Sequence, residues 1–161
     1  MLTNPYTRWA EAIDIKGDRD GILEEYYQHV QPLMKDRGNQ TVETVIQKRY
    51  SVLNGNEEQP VLTNMPKTKA LMNILQDRFD FTDVTFRMLM PGTAFLWHID
   101  PGRFCFNMPL ITNEGCRFVY DKKAIFMPAD GSIFAVNNGI PHTFVNAGRE
   151  PRLHLTFEQI S

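Results

Sequence analysis

Between residues 81 and 157 the chain reads as a succession of short extended segments, and this run constrains the fold more than any other feature. Residues 81–90 alternate apolar and polar side chains and are rich in β-forming types, after which Pro91-Gly92 marks a turn. Strands are then predicted at 95–99, 104–111, 117–120, 124–127, 132–136, 143–145 and 153–157. The separators Asn113-Glu114-Gly115, Asp130-Gly131, Asn138-Gly139 and Ala147-Gly148 suit reversals, because Gly, Asn and Asp tolerate the backbone angles that turns need. A curled antiparallel double sheet, the jelly roll, is the economical way to bury so many short strands, and it can hold a small pocket between its sheets. A different small β-sandwich with helical decoration is the alternative.

The first eighty residues have another character. Residues 1–18 have no sustained period and are expected to cover an edge of the main body. From 20 to about 35, Ile22, Leu23, Tyr26, Tyr27, Val30 and Leu33 recur at helical spacing, with Pro32 kinking or ending the helix. Residues 37–40 read as a turn, and 42–52 fit either a strand or a helix. Residues 54–60 are polar and turn-rich, an exposed loop. A second helix is predicted from Pro66 to about Arg78, with Ala70, Leu71, Ile74 and Leu75 as its buried stripe. The expected architecture is mainly β with N-terminal helices: one domain, with 1–80 as a helical support region and 81–161 as the β core.

A net charge of -2 provides no excess of Lys and Arg to neutralise a phosphate backbone, so general nucleic-acid binding is not expected. No stretch of eighteen apolar residues is present, and the start lacks the basic-then-apolar order of a secretory signal, so no membrane association is expected and a cytoplasmic location is the default. Cys105 and Cys116 are too few for a disulfide scaffold and are expected as reduced thiols; the methionines are read as core filling.

One segment carries chemistry. In Phe95-Leu96-Trp97-His98-Ile99-Asp100, period-2 alternation puts His98 and Asp100 on one face, and His142 follows a turn about forty residues later. Two imidazoles and a carboxylate can hold one face of an octahedral Fe(II) and leave the other open, whereas a closed zinc site would want a fourth ligand. Arg152 lies ten residues past His142, and its planar fork suits a bidentate grip on a carboxylate. Arg152 and His154 share a strand face, and Asn107 shares one with Cys105, so Asn107 and His154 are candidate pocket residues. By the same parity Trp97 points away from the ligands and is expected in the core in preference to contact with the substrate. Arg87 is expected to form a salt bridge with a surface acid in preference to approaching an anionic group on the substrate. Asn137 and Asn138 supply a turn or the pocket rim, and Asn146 or backbone carbonyls are expected to orient the histidines.

These residues carry a resemblance. The stretch from Arg87 to Phe157 is similar to the aspartyl/asparaginyl β-hydroxylase-related branch of the Fe(II)- and 2-oxoglutarate-dependent dioxygenases. The matching parts are His98-Ile99-Asp100, the Gly115-Cys116 turn, Asp130-Gly131-Ser132-Ile133-Phe134, His142, and Arg152 ten residues later. The resemblance implies a double-stranded β-helix, the cupin-like variant of the jelly roll. It further implies that His98, Asp100 and His142 bind Fe(II), that Arg152 binds the distal carboxylate of 2-oxoglutarate, and that molecular oxygen is the other co-substrate. Where the family has Arg-x-His, this chain has Cys105 and Asn107. Asn107 still offers a hydrogen bond, but Cys105 does not replace a guanidinium.

The expected activity is therefore hydroxylation of an unactivated carbon. A small molecule, such as an amino-acid derivative, is favoured as substrate over a protein or peptide side chain. The alternatives are a cupin-like metal enzyme that does not use 2-oxoglutarate, and a non-catalytic ligand-binding jelly roll.

Overall fold

A computed structural model describes residues 9–36, 47–100 and 104–159. The turn expected at 37–40, the first half of the 42–52 segment, residues 1–8 and the Pro101-Gly102 turn lie outside them. The described chain forms two antiparallel sheets packed face to face, with helices on the outside of the larger one. This is the double-stranded β-helix.

In chain order the elements are β1 (Ala10–Lys16), α1 (Arg19–Glu25), β2 (Lys35–Asp36), β3 (Gln47–Asn54), β4 (Glu57–Glu58), α2 (Pro66–Gln76) and β5 (Asp83–Leu89). There follow β6 (Thr93–Ala94), β7 (Phe104–Ile111), β8 (Cys116–Tyr120), β9 (Lys123–Ile125), β10 (Ser132–Asn137), β11 (His142–Asn146) and β12 (Arg152–Glu158). The larger sheet runs β1-β10-β7-β12-β5-β3-β2, with β4 paired to β3; the smaller runs β6-β11-β8-β9. The first eighty residues thus contribute strands as well as helices, and β1 closes one edge by pairing with β10. The undecided segment resolves as β3. It reverses into β4 through Gly55 and Asn56, both at positive φ (56° and 67°), as a tight hairpin requires.

Two expectations need correction. The helix over 20–35 is regular only through Glu25; it widens to a π turn at Tyr26–Val30 and ends as a 3-10 turn at Gln31–Leu33. Pro32 lacks the N–H that would continue the α-helical ladder. The segment 95–99 is not a regular strand: beyond β6 it is tied to the smaller sheet by the Phe95 N–H, which donates to the Phe144 carbonyl at 3.0 Å, by the Thr143 hydroxyl, which donates to the Phe95 carbonyl, and by an isolated bridge, His98 to His142.

The two faces of the larger sheet differ sharply, and this asymmetry positions the site. Alternate residues Leu153, Leu155 and Phe157 of β12, with Phe106, Met108 and Leu110 of β7 and Val84 and Phe86 of β5, face outward onto α1 and α2. Each such side chain contributes about 1.5–3 kcal/mol on burial. The intervening residues Arg152, His154, Thr156 and Glu158 face the smaller sheet. The main apolar core therefore lies between sheet and helices, while the space between the sheets has a polar wall. The support is locked by Glu25. Its buried carboxylate accepts from the backbone N–H of Lys67 and Thr68 (2.9 Å each) and from the Thr68 hydroxyl (2.8 Å), capping α2 from another helix. Among the described residues no helix is long and apolar enough to cross a membrane.

Gly115 sets the turn into β8. A Cβ there would stand 2.2 Å from the Gly148 backbone nitrogen and 2.6 Å from the Ala147 carbonyl carbon. Because both obstacles are main chain, Gly115→Ala is expected to lower unfolding free energy by about 1–3 kcal/mol in chemical denaturation. A variant as stable as the parent would contradict this packing.

Candidate functional site

Backbone pairing brings the three metal-ligand candidates together. His98 and His142 exchange main-chain hydrogen bonds (3.1 and 3.0 Å), and the Asp100 N–H donates to the Asn138 carbonyl at 2.8 Å. Ligands distant in sequence thus hang from one short ladder at the end of β11.

The imidazoles are oriented by carbonyls. Nδ1 of His98 is 2.7 Å from the Leu96 oxygen, and Nδ1 of His142 is 2.8 Å from the Ile140 oxygen. A carbonyl only accepts, so each Nδ1 carries the proton and each Nε2 keeps a free lone pair. Those Nε2 atoms lie 3.5 Å (His98) and 3.8 Å (His142) from Oδ2 of Asp100, and all three ligand atoms fall within 4.8 Å of one another. Atoms each about 2.1 Å from a shared cation stand about 3 Å apart at right-angled positions, so small side-chain adjustments close the set. His142 is buried and stacks on Phe118 (5.4 Å, 12°). Burial, chiefly, lowers its pKa, which favours the neutral, ligating imidazole. His98 and Asp100 are about one-third exposed, so the ligand cluster is open on their side. The donor set fits a cation with one protein face and one free face.

Asn146 is not part of this support. Its amide donates to the carbonyls of Leu89 (3.0 Å) and Glu150 (2.8 Å) and holds the far corner of the sandwich. Asn138 accepts from Asp100, and the Asn137 side chain closes the turn by accepting from Gly139 N–H at 2.9 Å. Trp97 is not in the core: it is 55% exposed, beside Leu96 at 61%. The parity argument failed because it presumes a sheet behind the strand, and 95–99 has none.

Arg152 opens β12 on the inner face and is 4% exposed. Its guanidinium packs 4.8 Å from the Phe144 ring centroid, and that ring lies 6.4 Å from the His98 imidazole. Burial pulls its pKa down to about 10, so it stays cationic at neutral pH. Among the described residues no carboxylate lies within ion-pair distance of it, and its Nε has no hydrogen-bond partner. A buried, unmatched guanidinium is costly and implies an anion. It borders a narrow cleft with His154, Thr112, Cys116, Met127 and Phe118, the last also backing His142.

His154 and Asn107 are both buried on this wall and pair through Nδ1 and Oδ1 at 3.0 Å; the Asn107 amide reaches the Cys105 sulfur at 3.4 Å. Burial, then the Arg152 charge, holds the His154 pKa well below the usual 6.5. The unfolded chain therefore takes up a proton near pH 6.5 that the folded chain refuses. Stability contributed here is complete above that pH and falls as pH drops below it, by at most about 1.4 kcal/mol per unit. His154→Gln is expected to lose stability less steeply than the parent between pH 7 and 5 in urea titrations. Equal slopes would refute the neutral, buried assignment.

Sequence reading missed the partner of Arg87. It is not a surface acid but Glu158, at 3.0 Å, with both side chains under one-fifth exposed on the inner wall. The parity that joins 152 to 154 extends to 158 and would have found it.

A family model described as aspartyl/asparaginyl β-hydroxylase matches residues 20–160. No curated protein sequence matches the chain at a significant level. Among solved structures, a prolyl-4-hydroxylase from Pseudomonas putida is 19% identical, aligns over 94% of this chain and 91% of its own, and has a TM-score of 0.58. HygX from Streptomyces hygroscopicus, with nickel, 2-oxoglutarate and hygromycin B bound, is 10% identical over 92% of this chain and 81% of its own, with a TM-score of 0.60. A predicted oxalate decarboxylase from Thermotoga maritima is 16% identical over 80% and 92%, with a TM-score of 0.53. At these identities the likeness is one of fold.

Proposed function

Since the chain belongs to the aspartyl/asparaginyl β-hydroxylase family, we propose that it is an Fe(II)- and 2-oxoglutarate-dependent oxygenase that hydroxylates an unactivated carbon. The observation that carries this reading is one juxtaposition: an open-sided His98, Asp100 and His142 cluster beside a cleft containing an unpaired, buried guanidinium. Fe(II) bound there supplies oxygen activation coupled to decarboxylation of 2-oxoglutarate, and hence the oxidant for the carbon–hydrogen bond.

The protein's own part is positional and electrostatic. His98 and His142 present Nε2 lone pairs held in place by the Leu96 and Ile140 carbonyls, and Asp100 adds one negative charge. Arg152 would grip the distal carboxylate of 2-oxoglutarate, which also satisfies its orphaned Nε. His154, kept neutral, and Asn107 form the polar wall along that acid. Phe118, Phe144 and Met127 line the space between acid and ligands with apolar surface, which limits water there. The exposed side of His98 and Asp100 admits the substrate, which we take to be a small molecule of the amino-acid type. The whole chain acts as one oxygenase domain, in the cytoplasm.

The test is anaerobic loading of the full chain with Fe(II) and 2-oxoglutarate, followed by oxygen and measurement of succinate. Succinate formed in step with 2-oxoglutarate consumed supports the reading. Binding of metal with no 2-oxoglutarate dependence would replace it with a cupin-like activity, and binding of neither would end it.

A further inference from the structure

The inner wall carries a second charged feature that neither the metal ligands nor Arg152 account for. Arg87 on β5 stands directly across from His154, yet its side chain leans along the wall toward the metal ligands: Nε donates to the Thr156 hydroxyl at 3.1 Å, and Nη2 pairs with Glu158 at 3.0 Å. Glu158 is directly opposite Cys105 on β7, and Cys105 in turn pairs with Val136 of β10, just before Asn138, whose carbonyl accepts the Asp100 N–H. The ion pair therefore lies on the inner wall, at the same end of the sandwich as the metal-ligand cluster.

Its valences are not exhausted. Among the described residues Nη1 of Arg87 has no hydrogen-bond partner and is not sealed from solvent. The exposed Arg49 of β3 is directly opposite Arg87 in the ladder, so two cationic residues stand in register while the ion pair supplies one carboxylate. Like charges in register repel, which leaves an unmet demand for an anion at this end. Glu158 simultaneously offers a carboxylate in a half-dry setting, where an ammonium is attracted more strongly than in bulk water.

We infer that Arg87 and Glu158 form a clamp for the two charges of a free α-amino acid, Arg87 taking its carboxylate and Glu158 its ammonium. The substrate is then a zwitterion and not a residue within a peptide, whose amide-linked backbone carries neither charge. This rests on the oxygenase reading for the identity of the site, although the clamp itself is defined by side chains outside the metal cluster.

The test is calorimetric titration of the full chain, loaded with Ni(II) and 2-oxoglutarate without oxygen, with the twenty proteinogenic L-amino acids. The methyl ester and the N-acetyl derivative of whichever binds follow. At least one free amino acid should bind, and blocking either charge should weaken it roughly tenfold or more. Arg87→Gln should erase the acid-over-ester preference and Glu158→Gln the amine-over-acetyl preference, while both variants keep the 2-oxoglutarate affinity within about twofold. The clamp is overturned if no free amino acid binds to protein that does bind 2-oxoglutarate. Equal binding of free and blocked forms, or an unchanged acid-over-ester ratio in Arg87→Gln, would overturn it too. If 2-oxoglutarate itself fails to bind, the oxygenase reading falls, and the same titration on metal-free chain decides the clamp alone: both preferences sustain it, and their absence removes it.

Discussion

His142→Ala is expected to abolish Fe(II) binding and, with it, succinate formation. His142 is the most buried of the three ligands, its Nδ1–H is engaged by Ile140, and its lone pair is directed at the same point as Asp100. Losing a partner that merely orients a ligand costs roughly 10–100-fold in affinity; losing the ligand itself removes one of three bonds and should exceed that range. Equilibrium dialysis with metal analysis measures the effect. Because alanine also removes a ring stacked on Phe118, His142→Gln, which fills most of the space, is the companion variant. Both should lose metal, whereas only the alanine variant should lose appreciable stability. A glutamine variant that retained stoichiometric Fe(II) would show that the cation, if any, sits elsewhere.

Arg152→Met is expected to act in opposite directions on binding and on stability. In the ligand-free protein the guanidinium is dry, unpaired by any carboxylate among the described residues and short of a partner at Nε. Methionine occupies similar length without a charge to desolvate, so the apo variant should be as stable as the parent or more so, by up to ~4 kcal/mol. The 2-oxoglutarate affinity should fall by about 30-fold or more, the equivalent of roughly 2 kcal/mol or more for a buried charge-assisted contact. Thermal unfolding with and without the acid reads both effects. Excess 2-oxoglutarate should raise the parent's melting temperature and leave the variant's unchanged, because only binding to the folded state shifts the equilibrium. A less stable apo variant that still responds to 2-oxoglutarate would contradict the role of Arg152.

The two outcomes bear differently on the proposal. Metal loss without any change in the response to 2-oxoglutarate would separate the acid site from the metal site. Loss of both in either variant is the pattern of an acid that bridges guanidinium and metal.

Much of this was legible in the chain. From residue 104 onward alternation marks the strands because both faces of each strand are committed, one to the helices and one to the cleft, and the turn formers punctuate them. His98, Asp100, His142 and Arg152 stood out because few structural roles need that set of donors at those intervals. The π turn at Tyr26–Val30, the exposure of Trp97 and the strand β1 were not legible in the same way, although Pro32 did mark where the helical run ends. Local pattern does not say which neighbour a segment meets: β1 is a strand because β10 presents an open edge, and 95–99 is not a regular one because β11 pairs with it only at Phe95 and His98.

The order of side chains by itself determined which residues alternate, where the chain reverses, and which donors exist to hold a metal and an acid. Only tertiary structure decided that the apolar half of each strand faces helices and the polar half faces a cleft. It also decided that carbonyls of Leu96 and Ile140 set the imidazoles, and that Arg87 meets Glu158 on the inner wall. The reason is range: periodicity and turn preference act over a few residues, whereas pairing register and burial depend on partners far away in the chain, as between Trp9 and Tyr120 (111 positions).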